Sequence, residues 1–261
     1  MRGFFNAIKW EMILDLKEYT RYKVSLLMDI VVFTGTFIII YFLGVSEGFS
    51  AFYNIDEKSG NVLVLIGYVF WQKASAALGY CSGTITGETE LGIFEIRLQS
   101  KYPVEIILFF RLLVSNLIHI VTYVGIFLYS IIVFKCDVSD LLYMIQAVLV
   151  SIPCLIGMYG IGLVLGSISV REKNIGSFVM IIQMALLFIS NTLSPARNNL
   201  VYLIPFSAGI ELVRNIYLGQ AINIGLIVNY IFGNLIWFAI GVICFRLAIN
   251  AEKKKGSFDN Y

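Results

Sequence analysis

The sequence predicts an all-α polytopic membrane protein with six transmembrane helices and an N-terminal interfacial helix. Three observations lead there. Six long apolar stretches divide the 261 residues. The composition is 59% hydrophobic and 14% charged, with a mean hydropathy of +0.84, outside the balance of water-soluble domains. Lysine and arginine gather in alternate connections between the stretches.

The stretches run over 24–45, 62–85, 106–134, 141–170, 175–193 and 222–248. Each approaches or exceeds the ~20 helical residues that cross ~30 Å of hydrocarbon. The third and fourth are overlong, as expected of tilted helices or helices that continue beyond the bilayer. Arg2, Lys9, Lys17, Arg21 and Lys23 precede the first stretch; Arg97, Lys101 and Arg111 flank the second connection. Arg171 and Lys173 lie in the fourth connection, and Arg246, Lys253, Lys254 and Lys255 at the C-terminal end. The opposite side holds only Lys58, Lys135, Arg197 and Arg214, while Lys73 lies within the second stretch. By the positive-inside rule both termini are cytoplasmic in a multi-pass cell-membrane protein. The division is 1–23 (interfacial helix), 24–251 (transmembrane domain) and 252–261 (cytoplasmic tail). No cleavable signal peptide is expected, because the first apolar run starts late and no small-residue cleavage site follows. The four cysteines lack metal spacing and read as packing residues.

Before the first span, Phe5, Ile8, Met12 and Leu16 recur at helical spacing beside Phe4 and Ile13, with Asn6, Lys9, Glu11, Asp15 and Lys17 on the other face. Such a helix lies in the membrane interface, its lysines near anionic headgroups. The second connection, 87–103, combines Glu88, Glu90, Glu95 and Arg97 with Ile93, Ile96 and Leu98. This predicts a short helix that stops before Pro103, whose ring disfavours helix at Tyr102.

From Glu88 through Gly92, Phe94 and Glu95 to Pro103, then Glu105 to Arg111, the chain resembles the membrane subunits of ATP-binding-cassette exporters of the ABC-2 type. In that family an acidic residue precedes a Gly-Thr-Leu-Glu-like element, then Ser-Pro, then a helix carrying a basic residue. Here Leu91-Gly92-Ile93-Phe94 replaces the commoner Gly-Thr-Leu, and Lys101-Tyr102 stands where Ser-Pro would begin. The resemblance covers nearly the whole chain and rests on the order of its parts. It implies that 87–103 is a coupling segment, with Glu88, Glu90, Gly92, Phe94, Glu95 and Arg97 as candidate ATPase-docking residues. It also implies short re-entrant helices between spans five and six, over 194–219, where Pro195, Pro205, Glu211 and Arg214 form a candidate external gate. Glu211 and Arg214, three apart, are placed to face each other on one helical side.

Within the spans Lys73 costs on the order of 3 kcal/mol if unpartnered and calls for water, a counter-charge or another subunit. With Trp71 and Gln72 it forms the candidate pathway. Asp29 and His119 read as structural. Gly79, Gly83 and Gly87, and Gly162 and Gly166, repeat at the spacing that lets helices approach closely.

No G-x-x-x-x-G-K-[ST] motif occurs, so the chain has no P-loop of its own. Nothing in the sequence calls for a cofactor in this chain, and no nucleic-acid partner is expected. The resemblance places ATP and Mg on two separate ABC ATPase subunits. It also implies a second copy or a related permease subunit, within a lipid bilayer. The function expected is a non-enzymatic permease that exports an amphipathic substrate such as a drug, antimicrobial peptide, natural product or lipid-linked molecule. An ion-coupled secondary transporter is the alternative, disfavoured by the lack of a clear internal repeat. A membrane enzyme lacks a clustered catalytic constellation.

Overall fold

A computed structural model of the protein describes residues 2–21, 23–134, 136–172 and 175–255. Among these residues there are helices and connections but no strand. Helix α1 (Arg2–Arg21) leads into α2 (Lys23–Phe42). The chain then turns at Gly44, whose φ of 68° suits a residue without a Cβ, into α3 (Val45–Tyr53). The axis bends there by 57°. The Asp29 side chain lies outside the described residues.

Helix α4 (Glu57–Glu90) is the axis of the molecule. Its 34 residues extend about 51 Å at 1.5 Å per residue, well beyond the predicted 62–85. Of its most apolar stretch 89% is buried, against 17% for the last helix, so α4 is the centre and the last helix faces outward. A tight turn through Gly92, again at φ 68°, starts α5 (Ile93–Leu98). Pro103 precedes α6 (Val104–Ile118), and after His119 the chain continues as α7 (Ile120–Phe134). Together α6 and α7 make a 29-residue apolar run, Val104–Ile132, matching the predicted third span.

The predicted fourth span is two helices. A 3-10 turn (Val138–Asp140) leads into α8 (Leu141–Val150), which stops at Ser151 before α9 (Ile152–Glu172). Pro153 explains the break: it has no N–H to donate, and its ring clashes with the carbonyl four residues back. The predicted fifth span shortens to α10 (Gly176–Ile189), whose 14 residues cover only about 21 Å. A 3-10 segment (Asn199–Leu203), α11 (Ser207–Tyr217) and α12 (Ile224–Lys255) complete the chain.

By length and apolarity, four helices can cross a bilayer: α4, the α6/α7 run, α9 and α12. Among the described residues the count rises to five if the bent pair of 30–42 in α2 and α3 is taken as one broken span. The expected count of six therefore depends on the short α10.

Helices α9 and α12 run in the same direction as α4, and α9 packs most extensively on α12 and α4. Glycines permit this closeness. A Cβ on Gly162 would meet Cys81 Cβ at 2.8 Å, and one on Gly166 would strike Ile85. At the α9/α12 crossing the backbones of Gly160 and Gly241 abut, with no space for a side chain on either. The predicted Gly162/Gly166 pair is thus a packing surface. Of the other repeat only Gly79 is tightly packed; Gly83 and Gly87 face open space. Cys81, Cys136 and Cys154 are buried as free thiols.

Candidate functional site

Charged side chains from four helices converge where α4 ends. Glu88, on the last turns of α4, accepts from two guanidiniums: Arg97 Nε of α5 at 2.7 Å and Arg111 Nη1 of α6 at 3.0 Å. Arg97 Nη1 also donates to Glu11 Oε1 of α1 at 3.1 Å. Arg111 donates from Nε and Nη2 to Asp15 Oδ1 of α1, at 3.1 and 3.0 Å. The Tyr80 hydroxyl donates to the same oxygen at 2.8 Å. Asp15 is only 3% exposed and the two arginine side chains 12–13%, so these contacts are shielded from bulk water. Nearby, Arg246 Nε of α12 donates to Glu105 Oε1 of α6 at 2.6 Å. The cluster ties α5 to α1, α4 and α6.

Two sequence expectations change here. Glu11 and Asp15 were assigned to a free polar face of the N-terminal helix, yet both turn into the protein and meet arginines. Glu88 and Arg97, read as contacts for another protein, are engaged within this chain. The remaining residues of 87–103 divide by exposure. Phe94 is fully buried, its ring 6.2 Å from that of Phe245 on α12. Gly92 supplies the left-handed turn into α5. Glu95 is half-buried, with Oε1 sealed from solvent and unpaired among the described residues. Glu90 is exposed, together with Leu91, Ile93 and Ile96, of which Leu91 and Ile96 are 74% and 70% exposed. The corner thus has an anchored inner side and an apolar outer side rimmed by a carboxylate.

Lys73 is explained by the break in the predicted fourth span. Helix α8 ends with carbonyls that have no helical donor. Lys73 Nζ donates to Val148 O at 2.9 Å, the Ser151 hydroxyl to the same oxygen at 2.8 Å, and the Tyr230 hydroxyl to Val150 O at 2.7 Å. At 2% exposure, Lys73 is turned into the bundle, a cation at a helix C-terminus where the dipole favours it. Trp71 Nε1 donates to Gln183 O at 2.9 Å and Gln183 Nε2 to Ser75 O at 2.8 Å, fastening α10 to α4. Gln72 is buried with both amide atoms unpaired among the described residues. Lys73→Met should lower stability by about 2 kcal/mol, the worth of a charged hydrogen bond, in a detergent unfolding assay.

At the opposite end, the expected pairing of Arg214 with Glu211 is not made: no ion pair joins these two described residues. Three backbone carbonyls hold it instead: Leu63 O at 3.0 and 2.9 Å, Asn191 O at 2.5 Å and Thr192 O at 3.1 Å. Its guanidinium lies 4.4 Å from the centre of the Phe49 ring, a cation–π contact. Gly67 makes room, since a Cβ there would meet Nη2 at 2.5 Å. Fully buried, Arg214 fastens α11 to the chain after α10 and to the start of α4. Glu211 is half-buried, 3.4 Å from Asn191 Nδ2. Pro205 O accepts from Asn234 Nδ2 of α12 at 2.9 Å, and Pro195 is buried in the connection before the 3-10 segment. Arg214→Lys keeps the charge but loses the planar fork, and should cost about 2 kcal/mol in the same assay.

No group of three or more potential metal ligands forms among the described residues. Compared with known proteins, the chain matches no family model, no curated protein and no solved structure.

Proposed function

We propose that this chain is the membrane subunit of an ATP-driven exporter of the ABC-2 kind. On this reading it crosses the cell membrane six times, α10 included, with both termini in the cytoplasm. Two ABC ATPase subunits bind ATP and Mg and dock from the cytoplasm, and a second permease copy or a relative completes the pathway for an amphipathic substrate.

The observation that carries the reading is the α5 corner. Exposed Leu91, Ile93 and Ile96 beside Glu90 suit protein docking, since neighbouring exposed apolar side chains are stabilised when a partner removes their area from water. Beneath it, Phe94 and Arg97 connect the corner to α12, α1 and α6, so a push on α5 moves helices rather than a loose loop. Nucleotide-driven closure of the ATPases would tilt the attached helices and change access to the pathway. Segment 194–219, held by Arg214 and Asn234, is the proposed external closure.

Affinity purification of the chain from its native membrane tests this. An ATPase with a P-loop should copurify in comparable amount, and its hydrolysis should respond to substrate. A chain that purifies without any ATPase and moves substrate down an ion gradient is a secondary transporter instead.

A further inference from the structure

An open groove of about 680 Å³ runs between α1 and α6. Ile8 and Val114 form its floor, at 5% and 7% exposure, while Phe5 and Leu117 stand at its rims, 65% and 63% exposed. Among the described residues, Lys9 is the one charged residue lining it. We propose that this groove is a binding site for an acyl chain of an anionic phospholipid whose headgroup pairs with Lys9. The inference rests on the membrane reading above and goes beyond it by assigning a lipid class to a defined site.

Two features of the structure select this occupant. The groove is apolar except for one ammonium, so it fits a molecule with a long apolar part and one anionic end, and its size is that of ordinary small-molecule sites. The charges of α1 are also sorted. Glu11 and Asp15, which would repel an anion, are turned to Arg97 and Arg111. Lys9 stays exposed, next to Trp10, 61% exposed, an aromatic residue suited to the headgroup level. An acyl chain in the groove keeps its hydrocarbon side chains from water at the membrane interface.

The test uses the full-length protein in phosphatidylcholine vesicles containing a small, equal mole fraction of photoactivatable-acyl phosphatidylglycerol or phosphatidylcholine. Peptides containing Met12 and Val114 should be labelled about fivefold more by the anionic lipid, the selectivity expected from one lysine near a surface charge. Lys9→Glu, a change at an exposed residue, should abolish that preference. Val114→Trp should fill the groove and cut labelling by both lipids, while labelling at Ile236, exposed on α12, stays unchanged. Equal labelling by the two lipids, or a yield no higher than at Ile236, would reduce the groove to ordinary boundary lipid and overturn the proposal. So would a disulfide between copies through cysteines placed at positions 5 and 117 that excludes the label, since the occupant would then be a second copy. Selective labelling in a chain that never binds an ATPase would leave this site standing while removing the exporter reading; the converse would remove the site alone.

Discussion

Arg111→Met should destabilise the protein by about 3 to 5 kcal/mol, because it strands Asp15 and part of Glu88 as shielded carboxylates without their cation. The cost falls mainly on the attachment of α1, since two of the three bonds lost from Arg111 go to Asp15. A cysteine at position 12 should therefore react faster with a soluble thiol reagent in the variant. Arg111→Met combined with Asp15→Leu should recover much of the loss, because removing both partners avoids the uncompensated charge. If the double variant is as unstable as the single, the cluster is not what holds α1.

The second large effect concerns α5. Leu91→Asp with Ile96→Asp should lower the affinity for the ATPase roughly 1,000-fold, as loss of two central apolar contacts at about 2 kcal/mol each does at interfaces. Folding should be untouched, since both side chains are more than two-thirds exposed. Glu90→Lys should produce a smaller loss in the same direction. Glu88→Lys is a poor probe of docking: it would place an ammonium between Arg97 and Arg111, so its effect would come from the fold of this chain.

Much of the helical framework was legible because apolar runs are a local signal. The α6/α7 run and α12 lie where the sequence placed them, and α4 does so at its core. The fourth stretch was misjudged because a continuous apolar run hides a break; Pro153 was the available sign, and it also accounts for Lys73, which caps the helix that the proline ends. The fifth shortened because Ser190, Asn191 and Thr192 interrupt the apolar pattern, the backbone carbonyls of Asn191 and Thr192 being used by Arg214 rather than by a helix. The Glu211/Arg214 expectation considered only neighbours on one helix, whereas a guanidinium with five donors found three carbonyls from other segments. The ion cluster was invisible for a related reason. Residues 11, 15, 88, 97 and 111 meet only after α1, α4, α5 and α6 pack together, and no periodicity within one element announces such a meeting. The proposed docking surface was visible only in part: the sequence located 87–103, but only packing separates outward Leu91 and Ile96 from inward Phe94 and the internally paired Glu88 and Arg97.

The most direct measurement is site-specific photocrosslinking from positions 90, 91 and 96 in native membranes, with position 236 on the outward face of α12 as control. The account predicts an adduct with a P-loop ATPase from the three α5-corner positions, stronger or weaker with nucleotide state, and none from 236. Adducts that never contain an ATPase from any of the three, in membranes where the chain is folded and present, would contradict it.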